Sequence, residues 1–309
     1  MSKSIRVFAP ATVANLSAGY DVLGLAVHVP GDEVVITLND SHKITLDEVT
    51  GDDGKLPRDP EKNIVSAVVK MYLQQRKISI GASISLHKKM PFGSGLGSSS
   101  ASAVAGLVAI NALMDQPWER KALLPLAMEG ERLACGSAHA DNVAPSLLGG
   151  VVLIRSYDPL DVISLPVPEG IFISLVYPHV NVPTGEARKI IKPQVSLKDA
   201  VIQWGNVGGI VAGFCTNDID LIGRSMQDVI IEPTRAILIP HFYTLKQIAI
   251  DQGALGFSIS GSGPTVFALS KSETTAQNIA QQLNAFLIEK SVISDIFVSE
   301  INPIGAKIL

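Results

Sequence analysis

Three glycines at alternate positions, followed at once by three serines, restrict this chain more than any other segment: Gly93-Ser94-Gly95-Leu96-Gly97-Ser98-Ser99-Ser100. Before them, Ala82-Ser83-Ile84-Ser85-Leu86 alternates as a strand and ends short of Pro91. At the serines a small-residue helix opens, continues through Ala101-Ser102-Ala103 and runs to about Met114. Glycines there allow positive φ and a close approach of ligand to backbone amides. The helix start adds unpaired N–H groups and the positive end of the dipole, a combination that favours phosphate. A serine-capped glycine turn with no ligand is the alternative, and the density of the cluster favours anion binding. Two familiar phosphate loops are excluded. No lysine follows Gly97, as the Walker pattern needs, and Ser98 stands where the dinucleotide pattern needs Gly or Ala.

Along the rest of the chain, Ile5, Val7 and Ala9 alternate, and Leu23–Val27 and Asp32–Leu38 read as two further strands. Residues 50–62 are turn formers and predict an exposed loop. Asn63 is placed to cap a helix carrying Ile64, Val65, Val68, Met71 and Tyr72. Another helix is predicted from Trp118 to Leu133. Proline and glycine punctuation between residues 155 and 170 suggests a boundary, giving units 1–163 and 164–309. The second unit mixes helices at 199–214, 217–228, 240–252 and 273–290 with strands at 257–260, 265–269 and 295–300. The class is α+β, in two parts.

Composition narrows the function. With 309 residues, 47% of them hydrophobic, the chain has material for two cores and too much for disorder. Lys and Arg total 25 against 29 Asp and Glu, a net charge of −4, which argues against nucleic acid as a partner. No apolar run reaches the roughly 18–20 residues of a membrane span, and no apolar leader precedes Ile5, so a cytoplasmic protein without membrane association is expected. Cys135 and Cys215 stand far apart, with neither metal-ligand nor disulfide spacing.

Pro91 to Ser99 resembles throughout the phosphate loop of the GHMP kinase superfamily, Pro-x-x-x-Gly-Leu-Gly-Ser-Ser. Pro10 to Gly24 is similar to the opening motif of the homoserine kinases, and Ser258-Ile259-Ser260-Gly261-Ser262-Gly263-Pro264-Thr265 matches the superfamily's third motif. Ala138-His139-Ala140-Asp141-Asn142-Val143-Ala144-Pro145 and Thr184-Gly185-Glu186-Ala187-Arg188 also resemble the homoserine kinase branch. The resemblance implies a two-domain GHMP kinase fold. Its N-terminal domain would resemble domain 2 of ribosomal protein S5, its C-terminal domain would be ferredoxin-like, and the site would lie in the cleft between them. The implied reaction moves the γ-phosphoryl of ATP to the side-chain hydroxyl of L-homoserine, with Mg²⁺, in threonine biosynthesis. A homodimer is usual for the family.

The same resemblance assigns residues. Pro91, Phe92, Gly93, Ser94, Gly95, Leu96, Gly97, Ser98 and Ser99 would bind ATP phosphates, and Asn63 the adenine. Ser99 and Glu131 would hold magnesium, which needs only one or two protein oxygens beside phosphates and water; Glu129 points to a different side of its helix. Asn15, Asp21, His139 and Asp141 would take the amino and hydroxyl end of the substrate, and Arg188 and Arg235 its carboxylate, which suits a planar guanidinium fork. Taken alone, Asn15 and Asp21 read as turn residues, His139 as a loop histidine, and the arginines as surface ion pairs. Some superfamily members carry a base seven residues before a Gly-Gly pair, and here that position is Asn142. No dedicated carboxylate base is therefore expected: the proton passes to the phosphate, assisted by Asn142 and Thr184. Ser17-Ala18 for Gly-Pro, Tyr20 for Phe, Ser100 for Ala, and Gly185 interrupting the run before Glu186 in the loop that carries Arg188 are the departures from the pattern. A mevalonate-type kinase, a non-catalytic member of the fold, a nicotinamide oxidoreductase and a protein-interaction scaffold are the rivals. The paired arginines beside His139–Asn142 favour an amino acid.

Overall fold

Strand β1 (Ser4–Ala14) and the 17-residue β2 (Leu23–Asn39) pair antiparallel, with Val7 opposite Val34. The two strands expected at Leu23–Val27 and Asp32–Leu38 are thus one. Pairing continues past Pro10 through a register shift between Pro10 and Thr12, the kind of irregularity that accommodates proline in a sheet. The computed structural model describes residues 3–136, 138–182 and 184–309, with backbone alone for Ala134, Cys135 and Thr184.

β3 (Ile44–Thr50), α1 (Ile64–Gln75), β4 (Gly81–His87), α2 (Ser98–Ala112), α3 (Leu124–Cys135), α4 (Ala140–Leu148), β5 (Val151–Tyr157) and β6 (Leu160–Leu165) complete the first half. The sheet runs β11-β1-β2-β4-β3, where β11 is Lys307–Ile308 at the end of the chain, with β5 also on β2 and β6 on β5. α2 is buried on all sides, which explains its run of Ser, Ala and Gly: it packs against the sheet and α1, α3 and α4 together. At Gly106 an added Cβ would meet Val65 Cγ1 at 2.7 Å, so α1 closes tightly on it. Fully buried Leu107 and Ile110 each contribute about 1.5–3 kcal/mol by leaving water. The helix expected from Trp118 begins instead with a 3₁₀ turn at Arg120–Leu123, and α3 proper starts where Pro125 fits its first turn.

The second half holds β7 (Phe172–Pro178), α5 (Thr184–Lys189), α6 (Leu197–Thr216), α7 (Ile219–Ser225), α8 (Glu232–Arg235), α9 (Phe242–Asp251), β8 (Gly256–Ile259), β9 (Val266–Ser270), α10 (Glu273–Glu289) and β10 (Ser294–Glu300). Its sheet, β10-β7-β9-β8, is antiparallel; counted in chain order it is 4-1-3-2, the ferredoxin-like arrangement. Ile279, Leu283 and Leu287 of α10 pack with Leu245 and Ala249 of α9 on Phe257 and Val266. The helix expected over 217–228 stops at Ser225, and the segment read as a loop around Arg188 is the helix α5.

The division expected at residue 163 meets two differences. β6 stays in the first sheet through Leu165, pairing Val151 with Leu165. The chain end also returns to the first sheet, where β11 (Lys307–Ile308) pairs with β1 and Leu309 N donates to Arg6 O at 2.9 Å. Ile171, Ile173, Leu175 and Phe267 share one apolar core with Val7 and Val34. Among the described residues, no helix is long and apolar enough to cross a membrane.

Candidate active site

After β4 the chain runs from Lys88 to Gly97 and enters α2 with no side chain capping the helix. Gly93, Gly95 and Gly97 all have positive φ. At Gly95 a Cβ would lie 2.5 Å from Ser260 O and 2.8 Å from Gly263 O, so glycine is required by both conformation and space. The third motif forms a turn between β8 and β9 and braces this loop: Ser260 Oγ donates to Gly95 O at 2.8 Å, and Thr265 N to Ser94 O at 3.1 Å. From the first motif, Thr12 N donates to Leu96 O at 3.0 Å and Thr12 Oγ1 to Asn142 Oδ1 at 2.6 Å. The buried hydroxyls of Ser94 and Ser98 have no hydrogen-bond partner in the protein. Ser99 Oγ and Ser100 Oγ reach Glu131 Oε2 at 3.0 and 2.7 Å, and Glu131 is buried. Glu129 instead pairs with Arg132 at the surface.

A cleft of about 1120 Å³ lies above this loop. Pro91, Phe92, Gly93, Ser94, Gly95, Gly97, Ser98, Ser99, Glu131 and Asn142 line it, together with every residue expected at the substrate end: Asn15, Asp21, His139, Asp141, Arg188 and Arg235. Three expectations fare differently. Asn63 does not line the cleft; it is buried, its Oδ1 accepts Val65 N at 3.0 Å and its Nδ2 donates to Pro57 O at 3.1 Å, so its amide is spent on capping α1. Leu96 is fully buried and anchors the loop in the core, offering a ligand only its backbone. The side chain of Thr184 lies outside the described residues.

At the substrate end, Asn15, Leu16, Ser17 and Asp21 all adopt positive φ, a conformation side chains hold only when the surroundings fix it. Asn15 does much of that fixing: its Nδ2 donates to Gly261 O at 2.9 Å and its Oδ1 accepts Asp21 N at 3.1 Å. Arg188 Nη2 lies 2.9 Å from both oxygens of Asp21 and 2.5 Å from His139 Nε2. Burial, then the Arg188 charge, hold the His139 imidazole below its ordinary pKa, so the ring is neutral and accepts from the guanidinium. Arg235 is buried, donating from Nε to Ala187 O at 3.1 Å and from Nη1 to Gly261 O at 3.0 Å. The Tyr20 ring lies 5.4 Å from the Arg188 guanidinium and 5.0 Å from that of Arg235, which keeps two like charges ordered side by side. Asp141, on the first turn of α4, is buried with Oδ1 unpartnered. Burial, then the negative Asp21 and Glu131, raise its pKa from 3.8 to about 7.

Thr12, Tyr20 and Tyr157 carry no expected role at the site in the sequence reading. Tyr157 Oη donates to Asp21 O at 2.7 Å and accepts Ala140 N at 3.3 Å, tying the strained turn to the start of α4. Tyr20 stands inside the opening motif as a departure from Phe, which was the available signal; nothing marked Tyr157.

Models of the GHMP kinase N-terminal and C-terminal domains match residues 63–150 and 210–289. The chain is a GHMP kinase. This kinase is 49% identical to a homoserine kinase of Chlorobium phaeobacteroides over 99% of its own chain and 100% of that relative. It superposes on the crystal structure of a homoserine kinase from Cytophaga hutchinsonii with a TM-score of 0.97 and 57% identity, covering 100% of this chain and 98% of the other. A crystal structure of mevalonate kinase, at 16% identity and a TM-score of 0.73, shares the fold with this kinase.

Proposed function

We propose that this GHMP kinase phosphorylates the side-chain hydroxyl of L-homoserine, producing O-phospho-L-homoserine and ADP from ATP, a step of threonine biosynthesis. The observation that carries the reading is the gathering of two guanidiniums, Arg188 and Arg235, with two carboxylates, Asp21 and Asp141, in the cleft that the glycine loop floors. Such a set suits a zwitterion: carboxylates meet the ammonium, and guanidiniums the carboxylate. Mevalonate has no ammonium to offer Asp21 and Asp141. The full-length relatives named homoserine kinases support the same choice.

The amides of residues 93–99 and the N-terminus of α2 hold the triphosphate, and the unpartnered Ser94 and Ser98 hydroxyls donate to its oxygens. For magnesium the donor set fits: a buried carboxylate, Glu131, touches the Ser99 hydroxyl. That is the ligand set magnesium takes when phosphates and water complete its shell. When bound, the ion neutralises charge on the transferring phosphates. Asp141 and Asp21 hold the substrate ammonium, and the arginines fix its other end, so the hydroxyl oxygen is aimed at the γ-phosphorus. Positioning of this kind supplies most of the acceleration in phosphoryl transfer. Thr12 engages Asn142 Oδ1, so the amide presents N–H rather than an acceptor to the hydroxyl. The hydroxyl proton therefore leaves on the phosphate itself, with no carboxylate base. We further place the kinase in the cytoplasm as a homodimer, the exposed apolar stripe Leu197, Val201 and Trp204 of α6 being the face for a second copy.

Phosphorus NMR of a reaction containing MgATP and L-homoserine tests the reading. A new phosphomonoester resonance growing with ADP is expected; ATP consumption without it, or no consumption, would overturn the proposal.

A further inference from the structure

Beneath the first turn of α2, at the edge of the cleft, lies an ion pair that belongs to none of the recognised motifs. Lys88, the residue after β4, has a side chain only 3% exposed, and the Asp32 carboxylate on β2 is fully buried. Lys88 Nζ donates to Asp32 Oδ2, to Ser98 O at 2.9 Å and to Ser102 Oγ at 2.8 Å. Ser102 Oγ in turn lies 3.0 Å from Asp32 Oδ2. Asp32 Oδ1 accepts the amides of Lys89 at 2.9 Å and Met90 at 3.3 Å. One pair thus joins β2, the entry to the glycine loop and the first turn of α2. The neighbouring Glu33 takes no part; it pairs with Arg6 and Lys89.

The ammonium has three protons and three acceptors, so Lys88 is saturated inside the protein and is not a phosphate-gripping lysine of the Walker kind. Its charge matters otherwise. A buried carboxylate beneath the start of α2 opposes the helix dipole and repels any polyphosphate placed above it. Lys88 cancels that charge and, by holding Ser98 O, sets the height of the first turn.

We infer that Lys88 is a positioning residue for the nucleotide: it neutralises Asp32 and pins the first turn of α2, so that the glycine loop accepts a polyphosphate. The inference rests on the kinase reading above. It differs from a merely structural role in one respect. Both variants break the pair itself, and Lys88→Met also loses the bonds to Ser98 O and Ser102 Oγ; Lys88→Met leaves an unpaired anion under the site, and Asp32→Asn an unpaired cation. A structural role predicts the same direction for both variants; charge cancellation predicts opposite directions.

The experiment is calorimetric titration of MgADP into the unsubstituted protein, Lys88→Met, Asp32→Asn and the double variant, with Tm recorded for each. Both single variants lose stability, because breaking a buried pair strands a charge. Lys88→Met weakens MgADP by roughly ten-fold or more, Asp32→Asn leaves it unchanged or tighter, and the double variant returns to within about three-fold of the parent. Parallel weakening in both single variants, or no change in either, would overturn the inference. Should Lys88→Met fail to fold, weakening of about ten-fold in Asp32→Asn or in the double variant has the same force. Failure of the unsubstituted protein to bind MgADP would instead remove the kinase reading and the inference with it.

Discussion

Arg188 Nη2 stands 2.9 Å from each carboxylate oxygen of Asp21, so the group proposed for the substrate carboxylate is already paired with a group proposed for its ammonium. A zwitterion entering the site replaces that pair with two of its own, one at each end. A ligand with one charge breaks the pair and leaves the other member uncompensated, which is costly in a half-buried site. An amino alcohol lacking the carboxylate is therefore expected to lose roughly 100-fold or more in kcat/KM against L-homoserine. Asp21→Asn and Arg188→Met should each raise the homoserine KM by at least about ten-fold. The MgATP KM should stay near its parent value in both. Steady-state assays varying each substrate in turn check this.

Glu131 is buried and takes hydrogen bonds from both Ser99 and Ser100. Glu131→Gln keeps the shape and removes the charge. The expected result is a loss of about 100-fold or more in kcat, with a shift of the magnesium requirement to higher concentration. A magnesium titration of the ADP-release rate measures both.

The carboxyl of Asp141 is raised from 3.8 to about 7, chiefly by burial. Between these values the folded state keeps a proton that the unfolded chain releases. The corresponding contribution to stability is full below pH 4 and is lost as pH rises through about 7. Asp141→Asn should flatten this slope in a series of denaturant melts. Because the ammonium needs the ionised carboxylate, kcat/KM for homoserine should rise through pH 7 in the parent and lose that inflection in Asp141→Asn, mainly through KM. If the variant bound homoserine normally but did not turn over, Asp141 would be the base, and the hydroxyl proton would not pass to the phosphate.

Gly95 has a φ of 82°, and its missing Cβ leaves room for Ser260 O at 2.5 Å. Gly95→Ala is expected to cost on the order of 1–3 kcal/mol and to weaken MgADP, because the loop must part from the third motif. Differential scanning calorimetry with and without MgADP reads the two effects separately.

These sites differ in how far the sequence disclosed them. The glycine loop was legible because its conformation, its helix start and its small side chains are contiguous and have one physical meaning. The ferredoxin-like sheet was legible as elements, though its order was supplied by resemblance. Arg188 and Arg235 were recognisable only through the motifs around them, since an isolated arginine carries no sign of its partner. Lys88–Asp32 and Tyr157–Asp21 bring together residues 56 and 136 positions apart, and neither pair leaves a periodic trace in the chain. Asn63, expected both as a helix cap and as an adenine contact, is seen in the first of these roles, which its position before an apolar helical run marks. The segment 184–189 looked like a loop because Gly185 interrupts it; packing against the cleft, with Ala187 buried and Arg188 held on Asp21, makes it a helix.

The most direct test of the central claim is a comparison of kcat/KM under saturating MgATP for L-homoserine, D-homoserine, L-serine, L-threonine and mevalonate. L-Homoserine is predicted to be preferred over each of the others by at least about 100-fold, because it alone places an ammonium, a carboxylate and a hydroxyl at the required separations and with the required handedness. Mevalonate turned over as well as L-homoserine would contradict the claim, since Asp21, Asp141 and the two arginines would then not be reading an amino acid.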